Sequence, residues 1–426
     1  SYLGSGWAQR ARMGVGALVA IARPTMRPQR LLPSFRAALL PTLLALASAG
    51  VSISIDGRKL VVDGVPVHLK GVNWSPVPKG GPGPKADFGS ALAAEDIQIM
   101  AMGGINAVRT YDALTNVSVL DALHAHGIWV LNTVYSFGGL PVDSLVHAVR
   151  KVSWHPAILM WVVGNEWNYN GLYVGMDHDE SVARVGEAAR LIKRYDSSHP
   201  VATVYGEIPD EDVVARLGDI DVWGINSYDG KSFDDRFKKW ACRYSAPMFL
   251  AEYGADAYDS RVSSENQEAQ AEATASLTEE IVSHSAARIG GMCLGGFVFE
   301  LSDEWWKDRR HSSGGPSVHD TGGAAPGWGP YPDRTYNEEW WGLVDIDRHP
   351  RAAFWAYAHS SVPDENWGPA TSVGSCTAET PWWVLVILVV LLLLCVGVVA
   401  ARLFARKARR QDSDPDILED DESEEW

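Results

Sequence analysis

The chain has 426 residues, 46% of them hydrophobic, which is enough for one large core or two small ones. Its formal net charge of −16 argues against a nucleic-acid partner, because phosphate binding needs a cationic face. Part of that charge lies in a C-terminal tail, and the 18 tryptophans serve core packing first, although sugar sites also use flat aromatic faces.

The first 50 residues read as an extension followed by a secretory signal. From Met26, the basic residues Arg27, Arg30 and Arg36 precede an apolar run, AALLPTLLALA, and a small-residue cleavage site at Ala47-Ser48-Ala49. Residues 53–73 alternate apolar and polar positions around Gly turns, the pattern of a short hairpin leading into a first strand. A Pro/Gly-rich loop follows, then a helical stretch from Ala91 that stops at Gly103-Gly104.

From there strand and helix alternate. The strands are 105–112, 128–135, 157–166, 201–206, 221–229, 246–254 and 295–303. The helices between them start near 116, 142, 181, 210 and 232, a long one covers roughly 263–286, and a last one lies near 351–359. With the strand ending near Val72, eight strand–helix units occupy about 300 residues, which predicts an α/β fold, a closed (β/α)8 barrel over residues 51–365. The run Ile158 to Val163 suits a strand buried on both faces. No Gly-rich dinucleotide or phosphate loop follows any strand, so no cofactor is expected. The insert 304–341, after the eighth strand, lies where loops shape a substrate groove.

Residues 366–381 read as a linker. Trp382 to Ala401 is an unbroken apolar stretch long enough to cross a bilayer, followed by Arg402, Arg406, Lys407, Arg409 and Arg410, which assign that side to the cytoplasm. The expected protein is a single-pass type I membrane protein, with the span over 382–404 and an acidic tail over 405–426. Cys242 and Cys293 are candidates for pairing in an oxidising compartment. Asn73 and Asn116 match the glycosylation pattern, with Asn73 placed near the active face.

In such a barrel, strand-end residues converge on one face. They are Trp74, Arg109, Tyr111, Asp112, Tyr135, Asn165, Glu166, Asn226, Tyr228, Glu252, Tyr253 and Glu300 to Trp306. Glycoside hydrolysis needs two carboxyls, one to protonate the leaving oxygen and one to attack the sugar or activate water. Glu166 and Glu252 are the candidates, and no metal is required. Arg109 and Tyr228 suit the stabilisation of an ionised Glu252, and Asn165 suits a sugar 2-hydroxyl. Glu166, among apolar neighbours, is placed to stay protonated. Each residue also has a plainer reading: Glu166 caps a helix, Arg109 neutralises Asp112, Tyr228 sits at a rim, and Trp305 and Trp306 wall the insert. Asp177 to Glu180 resembles a metal cluster, but acids at a helix start favour the dipole.

Asn-Glu ending a fourth strand and Glu ending a seventh resembles the retaining (β/α)8 glycosidase clan. GNEWN and FLAEYG, with INAVRTYD and WGINSYDG, look like the family 2 β-glycosidase barrels and equally like the family 72 β-1,3-glucanosyltransferases. The resemblance covers roughly residues 60–360. It implies Glu166 as acid/base and Glu252 as nucleophile, with Arg109, Asn165 and Tyr228 around them, and Glu300 and Trp305 as further substrate-binding positions. It also implies an aromatic floor near the eighth strand, for which Phe299, Trp305 and Trp306 are candidates. The expected function is cleavage of β-glycosidic bonds in an extracellular polysaccharide, with β-1,3-glucan as the candidate polymer and hydrolysis and transfer both open. A catalytically silent carbohydrate receptor and a wall-anchoring structural protein are the rivals.

Overall fold

A computed structural model describes residues 51–81, 83–228, 230–307, 316–319, 321, 329–376 and 382–411, with 382–385 and 408–411 described by backbone alone. The signal region and the tail from 412 onward lie outside the described residues, as does the middle of the insert.

Three short antiparallel strands come first, β1 Ile53–Asp56, β2 Lys59–Val62 and β3 Val65–Pro66. The barrel then runs β4 Leu69–Asn73, α1 Ala91–Met102, β5 Ala107–Arg109, α2 Val117–Ala125, β6 Trp129–Tyr135, α3 Leu145–Val152 and β7 Ile158–Val163. It continues with a single turn α4 Trp167–Asn170, α5 His178–Tyr195, β8 Val201–Tyr205, α6 Glu211–Arg216, β9 Val222–Ser227, α7 Arg236–Arg243 and β10 Met248–Tyr253. A small pair, β11 Tyr258–Asp259 and β12 Ser264–Glu265, precedes α8 Gln267–Ser283, β13 Cys293–Val298 and α9 Ala352–Ala358. A separate helix, α10, covers Trp382–Gln411.

Strands β4 to β10 and β13 close into one parallel barrel, with β13 paired to both β10 and β4. Every residue of β7, β8, β9, β10 and β13 is buried, as expected where helices cover one side and a packed interior the other. Side-chain caps start several of the helices. Ser90 accepts from Ala93 N–H and Asn116 from Ser118 N–H, and Asp177 forms a reciprocal capping box with Glu180. The acidic run at 177–180 is thus a helix start.

The interior is filled by Leu69, Ala107, Leu131, Leu159, Val204, Val222, Phe249 and Phe297. Leu60 and Val62 of the hairpin belong to the same cluster. The hairpin therefore plugs the amino-terminal end of the barrel and leaves the other end open. Arg58, on the β1–β2 turn, fastens it by donating to the carbonyls of Ala241, Tyr244 and Ser245.

Two expectations are corrected. Cys242 pairs with Cys376, Cα atoms 5.3 Å apart, and not with Cys293, which is a free thiol at the buried start of β13. The long helix begins at Gln267, because 258–265 forms the β11–β12 pair.

Candidate active site

The open end of the barrel holds a cavity of about 1290 Å³, lined by residues at and beyond the carboxyl ends of the strands. Glu166 and Glu252 both line it. Phe137, Tyr169 and Tyr173 form part of one wall, and Trp306, Lys307, Tyr336, Glu338 and Trp341 of the insert form another.

Glu252 is the second-last residue of β10 and is nearly buried. One of its oxygens accepts from Arg109 Nη1 at 2.9 Å and from Tyr111 Oη at 2.8 Å. The other accepts from Tyr228 Oη at 2.7 Å. Arg109 ends β5 and is fully buried, so its charge is felt at close to full strength. It pairs with Glu252 and not with Asp112, whose carboxylate accepts from Ala86 N–H at 3.3 Å. Asn73, at the end of β4, accepts from Arg109 Nη1 at 2.9 Å and donates to Ala251 O at 3.0 Å. Its amide is thus buried within the barrel's own bonding network, and the folded chain offers it to no glycan. Burial and the Glu252 charge push both the Tyr111 and Tyr228 hydroxyls well above the ordinary phenol value, so they stay donors.

Glu166 lies beyond β7, after a left-handed turn. Gly164 has φ +76°, and a Cβ there would stand 2.5 Å from the Trp167 ring. Glu166 itself takes φ 47°, ψ 33°, uncommon for a residue with a side chain. Its N–H donates to Val204 O at 3.1 Å, and its carbonyl accepts from Tyr169 and Asn170. The following Trp167 is locked by a bond to Thr203, whose hydroxyl donates to Val163 O. The Glu166 carboxyl accepts a hydrogen bond from Asn226 Nδ2 at 3.0 Å. Burial, and then the Glu252 charge, raise its pKa to about 7, against the opposing pull of Asn226.

The two glutamates are joined by a relay of bonds. Arg109 Nη2 donates to Asn165 Oδ1 at 2.6 Å, and Asn226 Nδ2 reaches both Asn165 Oδ1, at 3.4 Å, and Glu166. Asn165 keeps its amide toward the cavity, 3.4 Å from the Tyr173 hydroxyl.

The structure therefore brings Glu166, Glu252, Asn165 and Tyr228 to one cavity wall, with Arg109 directly behind it. It does not bring Glu300 or Trp305 to that wall. Trp305 lies away from the cavity, stacked on His319 at 4.7 Å with the Lys79 ammonium 4.1 Å over its ring. Glu300 is buried under the site, and burial first, then the nearby Glu304 carboxylate, holds its pKa well above the ordinary range. The aromatic residues lining the cavity near the eighth strand are Phe299, Trp306 and Trp341, with Phe299 edge-on to Tyr111 and Tyr228. The sequence assigns no part to Asn73, Tyr111 or Asn226, which the structure shows to support the two glutamates. Each lies at or just beyond the carboxyl end of a barrel strand, and that position is the available signal. Among the described residues, no group of three or more His, Cys, Asp or Glu is placed to hold a metal.

Residues 139–276 match the family model described as glycosyl hydrolases family 2, TIM barrel domain. The chain is 26% identical to the β-glucuronidase of Rattus norvegicus over 233 residues, 48% of this chain and 34% of that one. It is 25% identical to the Homo sapiens β-glucuronidase over 234 residues, 48% of this chain and 33% of that one. The chain thus spans about a third of the length of these curated relatives. Among solved structures, a family 2 β-galacturonidase from Eisenbergiella tayi aligns with 72% of this chain and 53% of its own, at 18% identity and a TM-score of 0.51. The β-glucuronidase of Bacteroides uniformis aligns with 72% of this chain and 36% of its own, at 16% identity and a TM-score of 0.53. The structural matches show the shared fold, and the sequence matches support a barrel of the retaining β-glycosidase type, similar to those of glycoside hydrolase family 2.

Proposed function

We propose that this protein is a retaining β-glycosidase or transglycosylase, tethered to a membrane and acting on an oligo- or polysaccharide by double displacement. Glu252 attacks the anomeric carbon while the glycosidic C–O bond breaks, and Glu166 gives its proton to the departing oxygen. A water or an acceptor hydroxyl then attacks the same carbon, gives its proton to Glu166, and the bond to Glu252 breaks. The observation that carries the reading is the unequal setting of the two carboxyls on one cavity. Glu252 accepts three bonds from Arg109, Tyr111 and Tyr228, whereas Glu166 has a pKa near 7.

A cavity of about 1290 Å³ exceeds the usual size of a small-ligand site and has room for more than one sugar ring. That supports a polymer or oligosaccharide. The choice of β-1,3-glucan rests on the motif resemblance to family 72 alone. A β-glucuronide is the second candidate, because the curated relatives are β-glucuronidases. The charge of the cavity weighs against it. Asp112, Glu166, Glu207, Glu252, Glu304 and Glu338 line it, opposed among the described residues by Arg236 and Lys307. Lys307 is already bound to Glu304 at 3.1 Å. A uronate would add a further negative charge to this acidic surface, whereas a neutral ring would not.

The compartment is also a proposal. Residues 386–407 form a helix long and apolar enough to cross a bilayer, and the basic residues after the apolar run suit the cytoplasmic side. A disulfide between the barrel and the segment that follows it suits an oxidising compartment.

The test is NMR of initial products from β-glucans and from matched aryl β-glucosides and β-glucuronides. Retention of the β-anomer and a higher kcat/KM for the neutral glycoside are expected. An α-anomer would refute the double displacement, and a preference for the glucuronide would refute the charge argument. Binding without any turnover would favour the receptor reading.

A further inference from the structure

The chain leaves the barrel on the side opposite the cavity, and it is fastened there. After α9, residues 368–371 bond to the amino-terminal side of β13. Ala370 N–H donates to Ile289 O at 2.9 Å, Thr371 N–H to Ser283 O at 2.8 Å, and Arg288 Nη2 to Pro369 O at 2.7 Å. Ser283 ends α8, and Ile289 lies in the turn that leads into β13. Five residues later, Cys376 is bonded to Cys242. Cys242 lies in the last turn of α7, a helix whose first residue, Arg236, lines the cavity. The axis of α7 therefore carries Cys242 away from the cavity, toward the closed end where Arg58 of the hairpin holds the Ala241 carbonyl at 3.1 Å.

Five residues separate Cys376 from Trp382, where α10 begins. Even fully extended, this interval reaches only about 20 Å. The six-residue strands are about 20 Å long, or about 16 Å along the barrel axis at a tilt of about 36°, before the loops of both ends are added. The tether is too short to bring α10 to the mouth of the cavity.

We propose that the Cys242–Cys376 bond docks the barrel with its plugged end toward the bilayer and its cavity facing away, so that it reaches glycans beyond its own membrane and not the sugar headgroups of lipids in that membrane. The inference rests on α10 spanning the bilayer, as proposed above, and is independent of the chemistry assigned to Glu166 and Glu252.

The test uses full-length protein reconstituted into phosphatidylcholine vesicles that carry an acceptor dye in the lipid. A fluorophore is placed through a non-natural amino acid either at Ile289, exposed at the plugged end, or at Phe137, exposed at the cavity rim. Energy transfer several-fold stronger from position 289 than from 137 is expected. A Cys376→Ser chain with a Gly/Ser insert of about 30 residues before Trp382, which adds a mean reach of about 30 Å, should narrow that difference. Equal or stronger transfer from position 137 in the native chain overturns the proposal, as does release of the chain from membranes by alkaline extraction. The readout needs no turnover, so an inactive protein with the expected transfer pattern would refute only the glycosidase reading.

Discussion

Replacing Glu166 with Gln tests the division of labour between the two carboxyls. The substitution keeps the shape and an oxygen for Asn226 but leaves no transferable proton. An ordinary glutamate with a pKa of 4.5 is about 0.3% protonated at pH 7, whereas a group at about 7 is half protonated. The site therefore holds about 150-fold more acid at neutral pH than an exposed glutamate would. Since the protonated form carries the first step, wild-type kcat/KM should fall as pH rises through about 7. Glu166→Gln should lose about 10²–10⁴-fold in kcat/KM toward a glycoside with a poor leaving group. It should lose far less toward a dinitrophenyl glycoside, whose leaving group departs without a proton, and the fall near pH 7 should vanish. Stopped-flow and steady-state assays on the two substrates measure both effects. Equal losses for both leaving groups, or an unchanged alkaline fall in the variant, would refute the assignment of Glu166 as the acid.

The same substitution has a consequence for stability. Because the folded pKa of Glu166 is raised, its ionisation penalises the fold from above pH 4.5 and fully above about 7, by up to about 3 kcal/mol. Glu166→Gln should therefore melt higher than wild type at pH 8 and equally at pH 4, measured by calorimetry; a lower Tm at pH 8 would contradict this. Arg109→Met leaves the Glu252 carboxylate buried without its cation and should cost about 3–5 kcal/mol in urea denaturation. Adding Glu252→Gln should recover part of that loss, and strictly additive losses would show that the pair is not coupled. The Cys242–Cys376 bond spans 134 residues, for which chain entropy allows up to about 5 kcal/mol. The double Ser variant should show a lower Tm that reductant no longer changes, and a wild-type Tm indifferent to reductant would argue against the bond.

The barrel was legible because its strands and helices announce themselves locally. Ile158 to Val163 is apolar at every position, and a strand buried on both faces has no alternative use for that composition. Strand ends were less legible. The run from 105 to 112 contracts to Ala107–Arg109, since Tyr111 and Asp112 already belong to the loop lining the cavity. The tryptophans of the insert were the least legible. Trp305 and Trp306 are adjacent and chemically identical, yet only Trp306 lines the cavity. What turns Trp305 away is His319 and Lys79, partners that no local periodicity reveals. The partner of Cys242 was hidden for the same reason, since spacing in sequence carries no information on which thiol folding brings near.

Two residues of the same type become chemically unlike here because the backbone treats them differently. Glu252 remains within the extended strand, so its side chain meets groups carried by other strand ends: Tyr228 just after the adjacent β9, Arg109 at the end of β5 across the barrel, and Tyr111 in the loop beyond β5. Glu166 has already left its strand through the left-handed turn at Gly164, which lifts it away from the Arg109 pair and toward the amide of Asn226, its side-chain donor among the described residues. Holding a non-glycine residue in that left-handed geometry costs roughly 1–2 kcal/mol. Three backbone hydrogen bonds at Glu166 and the packing of buried Trp167 hold it there. If the turn exists to separate the two environments, Gly164→Ala should act through both strain and the clash with Trp167. Its signature would be a displaced alkaline fall in kcat/KM as well as a lower Tm. A variant that melts earlier yet keeps the fall at about pH 7 would show that the turn serves the fold alone.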